Sequence, residues 1–346
     1  MATKTIYQVH KAGASTTLNE IYPSQSFHLD ETMVVGKVVS SSLIGGGPYR
    51  KRAAFTFPSY VKTTGYNGAY IKVYEAKASA MQKVGRLEIG FHSSSTGDQF
   101  VVGRGRRDST PVVKEGSTWA FSSGNTPWVE ATASVKVEYG FTGSTADIDA
   151  NVSTLIQSVA GSNVFRFVHI NYDPDYEDDS IIRGEIEYYS AETHTVYAPT
   201  LFVASESVAL CESGKETGDF SLDTDYVLYH KNLRDTYQPD QTITFKFGAR
   251  TLFPAATYGT ASSELGNNYI PSTSTYNFKD VKSNELMLPS SMQETLAIES
   301  NASGHFIENV PTNLFYPYRK YQLVVNVKSG SSTDTVILPE TFQVEA

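Results

Sequence analysis

Cysteine is almost absent from this 346-residue chain, in which Cys211 stands alone. A single thiol excludes an intramolecular disulfide framework and every multi-cysteine metal site. Tryptophan is scarce as well, with 2 residues against 22 Tyr and 18 Phe. Long apolar runs are missing, and the longest fall far short of a bilayer span. The opening Met1-Ala2-Thr3-Lys4-Thr5-Ile6-Tyr7 carries no apolar core of a secretory leader, so synthesis in a cytoplasm is expected. Positive charge is in deficit: 28 basic residues against 37 acidic give a formal net charge of −9. A chain that coats nucleic acid needs a basic footprint, so neither nucleic acid nor membrane is an expected partner.

Catalytic signatures are lacking too. No G-x-S-x-G elbow, Walker loop or dinucleotide fingerprint occurs. Seven histidines (His10, His28, His92, His169, His194, His230 and His305) include no pair at zinc-ligand spacing. Cys211 lies in a polar stretch with no nearby His, which does not suit a nucleophile. An enzyme is therefore not expected, although scattered carboxylates leave a glycosidase-type pair formally open.

What is present is strand patterning. Hydrophobic residues make up 40% of the chain, too many for disorder. Alternation runs through Tyr70–Tyr74, through Leu87, Ile89 and Phe91, and through Ile186–Tyr189. Phe165–Ile170 is apolar on both faces apart from Arg166 and His169. Ile243, Phe245 and Phe247 alternate with polar neighbours, as do Tyr321, Leu323, Val325 and Val327. Such runs between Gly, Pro, Asn and Ser clusters predict strands of sandwiches or barrels. One helix is expected within 147–159, with Asp149 as a candidate N-cap and Val152, Leu155, Ile156 and Val159 on one face. Tyr197–Val203 reads as an edge strand, because Pro199 is tolerated there. The polar stretch 206–219 reads as a linker between domains 1–205 and 220–346. Residues 206–346 hold 10 basic and 17 acidic residues, so the second part is the more acidic. The stretch 254–276 reads as a long loop, of the kind usually kept for interaction.

Three sets of side chains are candidates for binding. Asp173, Asp175, Glu177 and Asp179 place oxygen ligands at alternate positions, as a calcium loop does. The other reading is a solvated connection between strands. Arg50-Lys51-Arg52 and the trio Arg104, Arg106 and Arg107 could meet an acidic partner or phosphate, or be solvated loops offsetting the acidic remainder. Trp119, Phe121 and Trp128 sit among Gly, Ser and Asn, where aromatics stack on sugars, anchor interfaces or fill a core.

Several segments also carry a resemblance. They are Pro48–Phe57 with its aromatic-Arg pair, Asn67–Tyr74, Asp147–Val152, Ser190–Thr193 and Ala198–Val203. In order and spacing they resemble the DNRLRE-type jelly-roll modules related to carbohydrate-binding domains. Asn232–Tyr237, Phe245, Arg250, Phe253-Pro254, Tyr276–Asp280, Gly304–Phe306 and Leu314–Tyr321 are similar to C-terminal domains in structural proteins of tailed bacteriophages. The resemblance implies an all-β chain with an N-terminal jelly-roll β-sandwich and a smaller immunoglobulin-like β-sandwich after it. It implies a virion component of the tail, baseplate or neck, whose partners are other virion proteins in a symmetric, multi-copy assembly. The alternatives are an adsorption or receptor-binding protein that takes a glycan, and a capsid decoration protein. No cofactor is implied beyond a calcium ion at residues 173–179.

Overall fold

A computed structural model describes residues 3–4, 6–39, 47–60, 65–77, 83–91, 117–123, 126–127, 136–158, 168–205, 208–209, 226–252, 270–271, 273–290, 292, 298–301, 304–329 and 332–346. Their regular structure is almost entirely β, divided among several sheets. The chain forms two compact units, His10–Val203 and, together, Met1–Val9 with Ala204–Ala346. Sequence order assigned the opening residues to the first domain, whereas by contacts they group with the C-terminal unit.

The N-terminal unit contains two main sheets and the short pair Phe121–Ser123 with Thr126–Pro127. The larger runs, in spatial order, Lys136–Gly143, Lys83–Phe91, Val168–Tyr172, Tyr49–Thr56, Thr32–Val38 and Gly184–Tyr189, with Ala14–Asn19 also paired to Tyr49–Thr56. It is antiparallel throughout. The smaller sheet, which the division at Val9/His10 and Val203/Ala204 cuts through, orders Ile148–Asn151, Tyr66–Val73, Thr200–Ser205 and Tyr7–Lys11. Both sheets feed one core. The larger contributes Met33, Val35, Phe55, Leu87, Ile89, Val168, Ile170 and Tyr188, the smaller Ile71, Val73, Ile148, Leu201 and Val203. Alternation puts these side chains on one face of each strand, which is why the period-2 pattern was visible in the sequence.

The C-terminal unit also has two main sheets. One orders Tyr226–His230, Thr242–Thr251, Gly304–Pro311 and Glu299–Asn301. The other orders Thr236–Tyr237, Phe342–Val344, Lys320–Ser329 and Thr275–Asp280, with Ser332–Ile337 hairpinned onto Lys320–Ser329. Aromatic rings join them. Phe245 of the first sheet lies 5.2 Å from Phe278 and 5.0 Å from Phe342 of the second. Phe315 closes the cluster, 5.1 Å from Phe278 and 4.8 Å from Tyr321.

Three local expectations change. The helix is shorter, Ser153–Ser158, and Asp149 lies before it in the strand Ile148–Asn151. Pairing of that strand with Tyr70–Val73 takes the backbone that a longer helix would need. The chain turns helical only after Asn151, whose side-chain oxygen accepts from the Ser153 N–H at 3.0 Å. The strand near Pro199 begins at Thr200 and lies between two others rather than at an edge. Pro199 precedes the ladder, so no donor is lost, and its carbonyl accepts from Ala12 N–H. Tyr276, placed at the end of a long loop, is a buried residue of the strand Thr275–Asp280. Residues 253–269 of that stretch lie outside the described residues.

Candidate functional site

The strand Tyr49–Thr56 carries both core and charge. Its second half is buried, with Ala53 and Phe55 in the main core and Ala54 on the opposite face beside Leu18 and Trp119. Its first half presents Arg50, Lys51 and Arg52, read from sequence as a basic cluster free for a partner or as a solvated loop. They lie on a strand instead, and each has an acidic partner within the chain. Arg52 donates two parallel hydrogen bonds to Glu177, at 2.8 and 2.7 Å. Arg50 donates to Glu20 through its side chain, at 3.2 and 3.0 Å, and through its backbone at 2.8 Å. Lys51 pairs with Glu185. The Trp119 ring lies 5.4 Å from the Arg50 guanidinium and 5.0 Å from that of Arg52, within cation–π reach of both.

The acidic cluster is the other half of the same site. Asp173 caps a single helical turn, Pro174–Glu177, by accepting from Asp175 N–H at 3.0 Å. Proline at the first helical position suits that start, since its missing N–H would have no partner there. Every acid from 173 to 179 meets a cation. Arg86 lies 3.8 Å from Asp173 and 3.3 Å from Asp175. Glu177 holds Arg52, and Asp178 lies 3.6 Å from Arg50. Asp179 pairs with Arg183 and, at 2.8 Å, with Lys37. Lys37 is almost fully buried and also donates to the Tyr176 carbonyl at 3.0 Å and to the Asp179 carbonyl. Tyr176 is flanked by the guanidiniums of Arg86 and Arg183, at 5.1 and 3.6 Å.

The electrostatics follow from these contacts. Hydrogen bonds from Lys37 and then Arg183 outweigh burial and hold the Asp179 carboxyl at about 2, below its usual 3.8. Burial pushes Glu20 up, but the hydrogen bonds from Arg50 prevail and hold it below the usual carboxylate value. Calcium needs six to eight oxygens converging on one point. Here Asp173 and Asp175 share Arg86, while Glu177, Asp178 and Asp179 face Arg52, Arg50 and the pair Lys37 and Arg183. Among the described residues, no group of three or more His, Cys, Asp or Glu could hold a metal ion.

A second polar node forms around Glu75. Glu75 is buried and pairs with Lys83. Its carboxylate accepts from Ala146 N–H at 2.8 Å, while Asp147 accepts from Glu75 N–H at 2.7 Å. Tyr188 and Tyr139 donate to the carbonyls of Ala146 and Asp147, at 3.0 and 2.9 Å. Burial, and next to it the charge of Glu75, raises the Asp147 carboxyl despite the hydrogen bond it accepts. This reciprocal clamp fastens the turn before Ile148 to the end of Tyr66–Val73. Sequence reading missed it, because Glu75 and Asp147 are isolated acids with no motif around them.

Of the other residues singled out, Phe121 falls in the strand Phe121–Ser123. Its side chain, and all of Trp128, Arg104, Arg106, Arg107 and Cys211, lie outside the described residues. The buried acids of the described residues share one property. Glu75, Glu88, Asp173, Glu177 and Asp280 face, in turn, Lys83, Lys136, Arg86, Arg52 and Arg319.

No family model matches the sequence, and no curated protein is significantly similar to it. Solved structures give distant likenesses. A β-glucuronidase from Ruminococcus gnavus aligns at 8% identity and a TM-score of 0.22 over 99% of this chain and 45% of that one. A Parabacteroides merdae β-glucuronidase aligns at 11% identity and a TM-score of 0.25, over 98% and 35%. The adhesin domain of Epf from Streptococcus pyogenes aligns at 8% and 0.19, over 100% and 95%. The chain thus spans less than half of either β-glucuronidase, and similarity at this level carries no argument about function.

Proposed function

We propose that this chain is a non-enzymatic structural protein of a tailed-bacteriophage virion, a tail, baseplate or neck component that docks in multiple copies. The N-terminal unit is read as a jelly-roll sandwich and the C-terminal unit as a smaller sandwich of immunoglobulin-like type. The observation that carries the reading is where the resembling segments lie. Phe55 and Phe57, Ile71 and Val73, Ile148 and Val152, and Leu201 and Val203 come from four separate segments, yet all are fully buried in one core. Segments that carry a family likeness in sequence thereby contribute to one common core. The matched ion pairs support the non-enzymatic part, since each buried acid among the described residues is tied to a cation.

Function then resides in binding. Many copies on a symmetric particle multiply weak contacts through effective concentration. The test is light scattering of the purified chain, with and without calcium, together with retention on purified virion assembly intermediates. A discrete oligomer or specific retention is expected. A chain that is monomeric in every condition and not retained on any virion component overturns the proposal.

A further inference from the structure

The first strand of the chain is built into a unit that begins two hundred residues later. Thr3 and Lys4 pair with Ala209 and Val208. Ile6 is held from both sides by Ser205: its N–H donates to the Ser205 hydroxyl at 3.0 Å, and its carbonyl accepts from Ser205 N–H at 2.7 Å. Tyr7 and Val9 are buried while Ile6, Gln8 and His10 are half-buried, the alternation of a strand with one inward face. Inward, the Tyr7 phenol meets that of Tyr276 in the strand Thr275–Asp280, and both phenols are raised above their ordinary values, chiefly by burial. At the far end, the Val9 carbonyl accepts from the Asn313 amide at 3.0 Å, a contact across 304 residues of sequence.

These contacts have the composition of a binding site for an extended peptide. Main-chain hydrogen bonds give affinity, and inward pockets for alternate side chains give specificity. The same segment from another copy would make the same contacts, with the change of course falling after the strand Tyr7–Lys11.

We propose that the C-terminal unit carries an acceptor site for a strand of Tyr-x-Val pattern, filled here by the chain's own residues 3–9 and, in an assembly, by those of a second copy. The acceptor site stands by itself. The second-copy occupant rests on the multi-copy reading above.

The test uses the chain lacking residues 2–9 and a fluorescent peptide of residues 2–12. Saturable binding to the shortened chain is expected, with little binding to the full-length protein, whose site is filled. Tyr7→Ala in the peptide should weaken binding about tenfold or more, as expected for loss of a buried aromatic. No binding, or equal binding to both chains, overturns the acceptor site. Should the shortened chain fail to fold, hydrogen exchange on full-length Tyr7→Ala decides. Loss of protection at Thr275–Asp280 and Thr200–Ser205 is expected, with Lys83–Phe91 unchanged. Loss confined to residues 1–12 overturns the proposal. Excess peptide should also convert full-length oligomers to monomers. Peptide binding by the shortened chain, with full-length protein monomeric at every concentration, would keep the acceptor site and overturn the second-copy occupant.

Discussion

The two units hold themselves together by different means. The C-terminal unit joins its sheets with rings: Phe245, Phe278, Phe315, Tyr321 and Phe342 form one continuous aromatic cluster. The N-terminal unit fills its core mostly with aliphatic side chains and ties its connections down with charge. Large rings span the gap between two sheets with few residues, and each removes much apolar area from water. Ion pairs add little net stability on a surface, but they fix where a segment lies. The C-terminal unit should accordingly be sensitive to lost volume, and the N-terminal unit to lost charge.

Phe245→Ala gives the sharpest test of that contrast. It removes a fully buried ring with three ring partners, Tyr237, Phe278 and Phe342. A loss of about 3–5 kcal/mol is expected, confined to the unfolding transition of the C-terminal unit in denaturant. A comparable loss in the transition of the N-terminal unit would break the comparison.

Acidification acts next, because it reaches several pairs together. Glu20 and Asp179 in the N-terminal unit and Asp280 in the C-terminal unit all have carboxyls held below their ordinary values. Their stabilisation is present above the unfolded value and is lost as pH falls through the folded one. For Asp179 that window runs from 3.8 down to about 2. Amide exchange of Pro174–Arg183 should therefore accelerate across this window. Acceleration already complete at pH 5 would show that other groups control the segment.

Arg52→Met should cost about 1–3 kcal/mol, because it leaves the buried Glu177 carboxylate without its bidentate donor. Arg52→Lys keeps the charge but loses the fork, so its stability should fall between the two. Arg50→Gln, at a half-exposed pair with Glu20, should cost about 0.2–1 kcal/mol and less at high salt. Equal costs at residues 50 and 52 would show that burial does not grade these pairs. The smallest effect is expected from Asp147→Asn. It keeps an oxygen to accept from Glu75 N–H and removes a carboxyl whose pKa burial raises. An acid raised in the folded state loses stability as pH rises, so the Asn variant should gain on the parent protein as pH rises from the ordinary 3.8 through the raised folded value. Calorimetry across that range would show the gap widening, and a widening in the opposite sense would reverse the assignment.

Much of the fold was legible before any coordinates. Leu87 and Ile89, Ile71 and Val73, and Phe245 and Phe247 all alternate in sequence, and all are buried on strands. The candidate site was legible only in pieces. Arg50-Lys51-Arg52 and the acids of 173–179 each stood out as a charge run, one a possible partner surface and the other a possible cation loop. Nothing local says that Arg52 and Glu177, 125 residues apart, form one bidentate pair. That join depends on Val168–Tyr172 running beside Tyr49–Thr56, a pairing of strands distant in sequence. Glu75 and Asp147 gave no signal as a pair, since they act on backbone: Asp147 accepts from Glu75 N–H, and Glu75 from Ala146 N–H.

The sequence by itself determined which residues face inward along a strand, because alternation is a local property of extended backbone and period-2 burial. It also determined that charge would cluster and that one cysteine could staple nothing. The tertiary structure alone decided which charges cancel, where the helix of 153–158 could start, and that residues 1–9 belong with a unit formed from the far end of the chain. Those outcomes rest on which strands become neighbours. Neighbourhood is fixed by the burial of whole faces against one another, not by any stretch of residues read alone.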